Sequence, residues 1–411
     1  MLSLSFAPPA TWGRGLRCPL LVLLAACAAD TGTAGDPPVR DPSVDPTSLP
    51  PVAGPAPGVA VPRPPDEEVP FPIPGWATGE PADHELDPAK LDEAAEAARA
   101  TGSYCLLVIR HGTLVYERYF GEATAEDTHP SWSIAKSYSA TLVGIAIDRG
   151  EIRSLDDSVA EYLPEWRGTE NEAITVRDLV SMTSGLEWSV FSDYVRMATF
   201  ERDHTEFALG LAAAEPPGSS WTYHNGAVQL LEPLFRNATG HTLEEYARLH
   251  LWTPLGMEAT WAHDGAGHPT AYANVLATCR DHARLGYLYL HGGRWADRQI
   301  LSESWVREAL TPSQPFNRAY GYLFWLNGEA PAMTAMNESL DGVLVPYAPP
   351  DLFAARGFGN QFVDVIPSLD LVVVRFGEDP RSTLDPATIV RDARFDVHDD
   401  ILRPILESVR R

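Results

Sequence analysis

Apolar and polar positions along the chain predict strands near both of its ends. Two stretches rich in β-branched and aromatic residues lie close together, "SYCLLVIR" (103–110) and "TLVYERYF" (113–120). Only His111 and Gly112 separate them, and a two-residue link that ends in glycine indicates a β-hairpin. Three further apolar runs follow towards the C-terminus, "LFAARGFG", "QFVDVI" and "LDLVVVRFG". Both ends therefore contribute strands.

Helical spacing of apolar residues appears before and between these strands. A helix is predicted at 87–102, with Asp87 or Asp92 near its start and Gly102 as its stop. The segment "SIAKSYSATLVGIAIDRG" (133–150) predicts a strongly buried helix, and mostly helical patterns with loops continue to about residue 310.

The order of these elements predicts an α+β fold. We expect one antiparallel sheet built from both chain ends, about 85–150 and 310–411, and flanked by helices. The mostly helical part, about 151–310, would be a subdomain inserted beside that sheet.

The first residues have the layout of a secretory signal. Two arginines precede the apolar run "PLLVLLAA" (19–26), which is too short to span a bilayer. The tetrapeptide "LAAC" resembles a bacterial lipobox, which implies removal of residues 1–26 and a lipid on Cys27; a plain signal peptide cleaved after an alanine is the alternative. Residues 27–77, dense in Pro, Gly and Ala, would then tether a domain at 78–411 to a membrane surface.

Charge and cysteine content limit the partners. A formal charge of −25 argues against nucleic acid and makes a lipid anchor the expected membrane contact. Besides Cys18 in the signal and Cys27, the chain has Cys105 and Cys279. The apolar surroundings of Cys105 favour a buried thiol, a bridge between the pair stays open, and no zinc-ligand pattern occurs.

A rare lysine provides the first chemical signal. Of 31 basic Lys and Arg residues only Lys90 and Lys136 are lysines, and Lys136 follows Ser133 by three positions at the start of the predicted helix. Residues i and i+3 share a helix face, so the amine can reach the hydroxyl. Unlike arginine, a desolvated lysine can lose its proton and activate a serine. Lys90 lies on a charged helix face and receives no chemical role.

Two more stretches carry candidate site residues. Tyr223 and Asn225, in "SSWTYHNGAVQLL", precede an apolar helix; a phenol beside an ammonium can act as a general base, but the pair could equally be a half-buried tyrosine and a helix cap. Gly357 and Gly359, in "AARGFGNQ", would let a backbone N–H of an oxyanion hole approach closely, or would form a β-bulge.

In order and spacing, these motifs resemble the serine penicillin-binding-protein and class C β-lactamase family over roughly residues 85–380. The flanking text "ITVRDLVSMTSGLEW" and "ARLGYLYLHGGRW" supports this, and the stretch "ARGFGNQ" is similar to the esterase and 6-aminohexanoate-dimer-hydrolase-like branch.

The resemblance implies a catalytic set without a metal or organic cofactor. Ser133 would be acylated, Lys136 would help to deprotonate it, and Tyr223 would act as base and then proton donor. Asn225 would contact substrate or Lys136, and the N–H groups of Ser133 and Phe358, between Gly357 and Gly359, would hold the oxyanion. The histidines at 263 and 268 are interpreted as surface loop residues.

One departure from the family bears on the substrate. The Lys-Thr-Gly and Ser-Asp-Asn motifs of many β-lactamases and DD-peptidases are absent; Arg356 is considered as a partial replacement for the missing charge. We therefore expect a lipid-anchored serine hydrolase outside the cytoplasm that cleaves a small ester or amide. The alternatives are a weakly active or inactive envelope lipoprotein that binds cell-wall material, and a true β-lactamase or DD-peptidase. No Gly-x-Ser-x-Gly occurs, which excludes an α/β-hydrolase signature.

Overall fold

A computed structural model describes residues 70–378 and 396–410. The predicted signal at 1–26, the lipidation site Cys27 and the tether up to residue 69 lie outside the described residues. None of the helices within the two described ranges combines the length and the apolarity needed to cross a membrane.

Seven strands form the central sheet, and seven short ones form three small sheets. In chain order the strands are β1 (Ala77–Thr78), β2 (Ser103–Arg110), β3 (Thr113–Tyr119), β4 (His129–Pro130), β5 (Ala259–Trp261), β6 (Val275–Ala277), β7 (Arg294–Trp295), β8 (Arg298–Gln299), β9 (Trp325–Leu326), β10 (Ala332–Met333), β11 (Ser339–Leu340), β12 (Phe353–Gly357), β13 (Gln361–Ile366) and β14 (Leu371–Gly377).

The helices surround this sheet. The α-helices are α1 (Pro88–Ala100), α2 (Ile134–Asp148), α3 (Val176–Val180), α4 (His204–Leu209), α5 (Asn225–Gln229), α6 (Leu231–Thr239), α7 (Leu243–Ala247), α8 (Thr253–Leu255), α9 (Cys279–Leu290), α10 (Glu303–Ala309) and α11 (Asp396–Ser408). Two π-helical segments occupy Phe191–Phe200 and Arg248–Trp252. Short 3₁₀ turns occupy Pro81–His84, Val159–Glu161, Pro164–Trp166, Glu170–Ala173 and Pro367–Leu369.

The central sheet joins the two ends of the chain, as predicted. Its strand order is β1-β3-β2-β14-β13-β12-β9, and every pairing except the parallel β1–β3 edge is antiparallel. The central pairing places β2 from the N-terminal part against β14 from the C-terminal part, with Arg110 opposite Leu371. The α+β fold class is confirmed.

The predicted hairpin between β2 and β3 has the expected turn chemistry. His111 and Gly112 both have positive φ values, 49° and 71°. Two consecutive left-handed residues match the right-handed twist of the flanking strands, and glycine adopts this conformation at little cost.

Helix α9 lies in the part of the chain that was assigned to the helical subdomain, yet it packs against the central sheet. At Gly286 an added Cβ would lie 2.8 Å from a methyl group of Val363 and 3.0 Å from one of Val365. The absence of a side chain therefore lets the helix approach β13 closely. Sequence spacing alone could not separate this sheet-packed helix from its helical neighbours.

The last residues of the predicted tether belong to the folded domain. The Phe71 and Trp76 rings contact Tyr287 on α9, with centroid distances of 5.6 and 5.2 Å. The Tyr287 hydroxyl donates to the carbonyl of Pro70 at 2.6 Å. The segment that begins at residue 70 is thus docked on the domain, and the tether boundary at 77 was placed too late.

A disulfide joins Cys105 on β2 to Cys279 at the start of α9, across 174 residues of sequence. Both cysteines are buried, as expected for Cys105, and the bridge that the sequence left open is formed in place of the favoured thiol. The fold brings the two ends of a long loop together, which the spacing of two isolated cysteines does not reveal.

We expect the double variant Cys105→Ala/Cys279→Ala to unfold at a lower temperature, because the disulfide constrains a long loop in the unfolded chain. The expected loss in the free energy of unfolding is about 2–4 kcal/mol. Thermal unfolding monitored by circular dichroism measures it, and the reduced wild type is the control that should approach the variant. Equal midpoints for variant and oxidised wild type would contradict a stabilising role.

Candidate active site

The N-terminus of α2 brings Ser133 and Lys136 together. Ser133 is the residue before the first turn, and Lys136 lies one turn later on the same face. The Lys136 amine Nζ is 3.0 Å from Ser133 Oγ and 2.9 Å from the carbonyl oxygen of Tyr272. Only 1% of Lys136 is exposed to solvent. The predicted nucleophile and its activator are therefore in hydrogen-bond contact.

Burial changes the acid–base behaviour of this amine. Loss of hydration lowers the pKa of Lys136 from its usual 10.5 to about 7, while the negative charge of Asp193 opposes this effect. A lysine with this pKa is partly neutral at physiological pH. Its lone pair can then accept the proton of Ser133, which a permanently charged arginine at this position could not do.

Tyr223 also forms a side-chain hydrogen bond with Ser133. The amine of Lys136 is 4.8 Å from the centre of the Tyr223 ring, and that ring stacks on Trp325 at 5.8 Å. Burial raises the pKa of Tyr223 above its usual range, and the charge of Asp193 acts in the same direction. Burial thus disfavours the phenolate that the sequence argument invoked for Tyr223. A neutral phenol is a proton donor.

A buried carboxylate holds the turn that carries Tyr223. Asp193 accepts hydrogen bonds from the backbone N–H of Asn225 at 3.0 Å and of Gly226 at 2.9 Å, and it pairs with Nδ1 of His224 at 3.0 Å. Sequence analysis missed this residue. Its partners lie some 30 positions away, so the only available signal was a carboxylate within the apolar stretch that became the π-helix.

Asn225 begins helix α5 two residues beyond Tyr223. Only 4% of the residue is exposed, and among the described residues its side-chain oxygen Oδ1 has no hydrogen-bond partner. A buried acceptor without a partner is costly unless a ligand satisfies it. The predicted substrate contact thus has an atom available to make it.

The end of β12 packs directly against the backbone that precedes Ser133. A Cβ added to Gly357 would lie 2.4 Å from the carbonyl oxygen of Ser131, so only glycine allows this approach. Phe358 follows, and its ring meets that of Trp132 edge-on at 5.4 Å. Gly359 serves a different purpose, because the turn into β13 gives it a φ of 77°. Gly357, Phe358 and Gly359 are thereby placed beside the nucleophile.

A buried arginine fixes this turn from behind. Arg375 on β14 donates to the carbonyl oxygens of Gly359 at 2.5 Å and Asn360 at 3.1 Å. The side-chain amide of Gln361 clamps the same region, because its Oε1 accepts the N–H of Gly377 at 2.8 Å and its Nε2 donates to the carbonyl of Gly377. The glutamine noted in "ARGFGNQ" is thus a structural clamp. Arg375, sixteen residues after Gly359 and on another strand, carried no sequence signal.

Arg356 is directed away from the nucleophile. Its guanidinium contacts Nε2 of His398 on α11 at 3.1 Å and lies 3.7 Å from Asp364. Successive side chains on a strand point to opposite faces, so the neighbour of Gly357 faces the other side of the sheet. The suggestion that Arg356 supplies the missing charge of Lys-Thr-Gly was wrong.

The backbone before the nucleophile has an unusual conformation. Trp132 has a φ of 48°, in the left-handed region that a large side chain rarely adopts. Asn274 holds it from both sides: its Oδ1 accepts the Trp132 N–H at 3.1 Å, and its own N–H donates to the Trp132 carbonyl at 3.0 Å. Asn274 is a second positioning residue that sequence analysis missed.

One group of side chains in the described ranges has the spacing of metal ligands: Asp203, Asp264 and His268. The Asp264 carboxylate accepts the backbone N–H groups of His204, Ala266 and His268. These hydrogen bonds stabilise a loop and account for the cluster, so His268 has a structural role. His263 forms a contact of 3.0 Å with Glu244 and is 41% exposed, in keeping with a surface position.

Comparison with known proteins agrees with this geometry. The family model described as Beta-lactamase matches residues 89–390. The chain belongs to this family. That range includes Ser133, Lys136, Tyr223 and the turn at Phe358.

Two curated relatives illustrate the spread of the Beta-lactamase family. A 6-aminohexanoate-dimer hydrolase of Paenarthrobacter ureafaciens is 26% identical over 239 residues, which are 54% of this chain and 60% of that protein. A D-aminopeptidase of Brucella anthropi is 27% identical over 170 residues, which are 37% of this chain and 31% of that protein. The chain thus matches only part of the length of these relatives.

Solved structures agree in fold. A Bacillus anthracis structure, provisionally described as a 6-aminohexanoate-dimer hydrolase, has a TM-score of 0.62 at 22% identity. The match covers 84% of this chain and 89% of that chain. A D-stereospecific amidohydrolase from Streptomyces has a TM-score of 0.53 at 19% identity. The match covers 75% of this chain and 99% of that chain. At these identities the likeness establishes the fold alone.

We expect Asp193→Asn to alter the pH dependence of Ser133 reactivity. In the wild type, the rate at which a fluorophosphonate probe modifies Ser133 should rise through pH about 7, as Lys136 loses its proton. Removing the carboxylate charge removes an effect that raises the Lys136 pKa, so the limb should move to lower pH by roughly half a unit or more. The maximal rate should also fall, because the Tyr223 turn loses its anchor.

Asp399→Asn is the matched control for this experiment. It removes a carboxylate from α11, on the side of the sheet where Arg356 and His398 lie. Its pH limb should coincide with that of the wild type. An unchanged limb in Asp193→Asn would show that the Asp193 charge does not act on Lys136.

Proposed function

We propose that this protein is a serine hydrolase that cleaves an ester or amide through an acyl-enzyme on Ser133, and that it works outside the cytoplasm on a lipid tether. The observation that carries the proposal is the contact between the buried amine of Lys136 and Ser133 Oγ at 3.0 Å. An amine with a pKa of about 7 has no evident structural use there, since burying it opposes folding.

Acylation starts with proton transfer from Ser133 to neutral Lys136. One N–H of the amine remains on the Tyr272 carbonyl, so its lone pair faces the serine oxygen. Ser133 Oγ attacks the substrate carbonyl carbon, and the electron pair moves to the carbonyl oxygen. The N–H groups of Ser133 and Phe358 stabilise this oxyanion.

Tyr223 connects Lys136 to the leaving group. As the tetrahedral intermediate collapses, the Tyr223 phenol gives its proton to the departing alcohol or amine and regains one from protonated Lys136. Water then attacks the acyl carbon and gives a proton to Tyr223, which passes its own proton to Lys136. Ser133 leaves with the proton that Lys136 returns. The phenol's raised pKa suits this role, because it remains protonated between steps.

The names of the relatives support a hydrolase but do not determine whether the bond cleaved is an ester or an amide. The names printed for them include a 6-aminohexanoate-dimer hydrolase, a D-aminopeptidase and a D-stereospecific amidohydrolase. The missing Lys-Thr-Gly and the internal pairing of Arg356 argue against substrates that need a cation for their carboxylate, which include β-lactams and D-Ala-D-Ala peptides.

Two features support a location outside the cytoplasm. The Cys105–Cys279 disulfide is of a kind that persists in oxidising compartments and is rare in the cytosol. The lipobox-like "LAAC" ahead of a long Pro- and Gly-rich segment supports a lipid anchor on Cys27.

Hydrolysis of p-nitrophenyl butyrate by the wild type should be lost in Ser133→Ala. Lys136→Arg should lose at least about a hundredfold in kcat, because a guanidinium cannot accept the serine proton. Mass spectrometry after rapid acid quenching should find the butyryl group on the peptide that contains Ser133. Activity that survives Ser133→Ala, or the absence of any adduct, would refute the acyl-enzyme.

Expression with a radiolabelled fatty acid tests the anchor. The wild type should incorporate the label and sediment with membranes, whereas Cys27→Ser should do neither. Cys18→Ser is the matched control and should not block labelling. Equal labelling of the wild type and Cys27→Ser would refute the lipid tether.

A further inference from the structure

Two aromatic rings contact each other next to the backbone that leads into Ser133. Trp132 directly precedes Ser133, and Phe358 carries the backbone N–H assigned to the oxyanion. Their rings meet edge-on at 5.4 Å with an interplanar angle of 65°. Phe358 is 39% exposed although its flanking strands are buried. A large apolar side chain that is exposed to solvent next to the candidate nucleophile requires an explanation.

Both rings rest on fixed backbone. Asn274 bonds both the N–H and the carbonyl of Trp132. On the other side, Gly357 packs on the Ser131 carbonyl and Arg375 binds the carbonyls that follow Phe358. The two rings therefore form a preformed apolar wall whose position relative to Ser133 is set by the fold. Such a wall binds apolar groups without a cost of ordering flexible side chains.

The charges around this wall are unfavourable for an anion. The basic residues on the site-forming elements α2, β12 and β14 are Lys136, Arg356 and Arg375, and all three are buried and hydrogen-bonded within the protein. No exposed cation on these three elements can therefore receive a substrate carboxylate.

The loop 328–352 adds negative charge at the same side. It contacts the site through Asn337, whose Oδ1 accepts the backbone N–H of Tyr223 at 2.6 Å. The loop has no Arg, Lys or His, and of its four acidic residues Glu329 pairs with Arg318 and Asp351 binds Ser368, so the charge beside the Asn337 contact is that of Glu338. Glu338, adjacent to this contact, is exposed. An incoming anion would meet this negative charge in a chain of formal charge −25.

We propose that Trp132 and Phe358 form the acyl-binding surface of the enzyme, and that its substrates carry an uncharged, apolar acyl group. This inference rests on the proposed acyl-enzyme function. The apolar acyl chain lies against the two rings while its carbonyl oxygen is held by the N–H groups of Ser133 and Phe358. A carboxylate on the acyl chain would lose its hydration there without gaining a partner.

A series of p-nitrophenyl esters with a common leaving group tests the proposal. The kcat/KM of the wild type should rise about tenfold from acetate to hexanoate, as partly buried methylene groups add binding in the transition state. The butyrate ester should exceed the succinate monoester, which has the same four-carbon chain with a terminal carboxylate, by at least about tenfold.

Two substitutions of Phe358 test the apolar contact and the missing cation separately, and both keep the backbone N–H. Phe358→Ala should reduce the hexanoate-to-acetate ratio to near one. Phe358→Lys should raise the succinate-to-butyrate ratio at least about tenfold relative to the wild type, because it provides the missing cation. Leu249→Ala is the matched control: it removes a similarly exposed apolar side chain, 49% exposed, from a segment without site residues, and should change neither ratio.

Failure of this inference is distinguishable from failure of the proposed function. An unchanged hexanoate-to-acetate ratio in Phe358→Ala, or equal hydrolysis of succinate and butyrate esters by the wild type, overturns the acyl-binding assignment. Ester hydrolysis that persists in Ser133→Ala overturns the function itself. Stoichiometric fluorophosphonate labelling of Ser133 in each variant shows that the site is still assembled, so that altered ratios report on binding.

Discussion

Exclusion of water from the Lys136 amine is the constraint on which the site depends. Among the residues that the structure describes, the amine has the Tyr272 carbonyl and Ser133 as direct hydrogen-bond partners, and Asp193 acts on it through charge. A carboxylate in direct contact would pair the ammonium and keep it protonated, whereas complete isolation would lower its pKa further. The observed arrangement keeps the amine close to half-protonated near neutral pH. A group that accepts and then donates a proton within one cycle requires this state.

The elements that maintain this environment come from distant parts of the chain. Helix α2 provides Ser133 and Lys136, the inserted helical part provides Tyr223 and Asp193, and the C-terminal strands provide the turn at Phe358. The central pairing of β2 with β14 brings the first and last parts into one sheet. The proposed catalytic geometry thus depends on the same contacts as the fold, and any loosening of the sheet would shift the turn at Phe358 relative to Ser133.

A contact within the candidate site could be predicted from the sequence where a residue type is unusual and its partner is near. Lys136 stood out because lysine is scarce and Ser133 is one helical turn away, and the strands and the hairpin turn followed from apolar runs and glycine. Asp193, Asn274 and Arg375 were missed, because each acts on backbone groups that only the folded chain brings near. Arg356 was misassigned because strand alternation cannot be resolved beside two glycines, and the disulfide was missed because two cysteines 174 residues apart have no local pattern.

The disulfide also divides the site in a particular way. Cys105 and Cys279 close a covalent ring that contains Ser133, Lys136, Tyr223 and Asn274, whereas Phe358 and Arg375 lie outside it. A protease that cuts any one loop within the ring leaves both fragments covalently joined, with nucleophile and proton donor still on one connected chain. The turn at Phe358 lacks that protection, since non-covalent contacts alone, among them the sheet hydrogen bonds and the packing of Gly357 and Phe358, hold it against the ring. At the location outside the cytoplasm that is proposed for this protein, the part of the site within the ring would remain one molecule after a single cut.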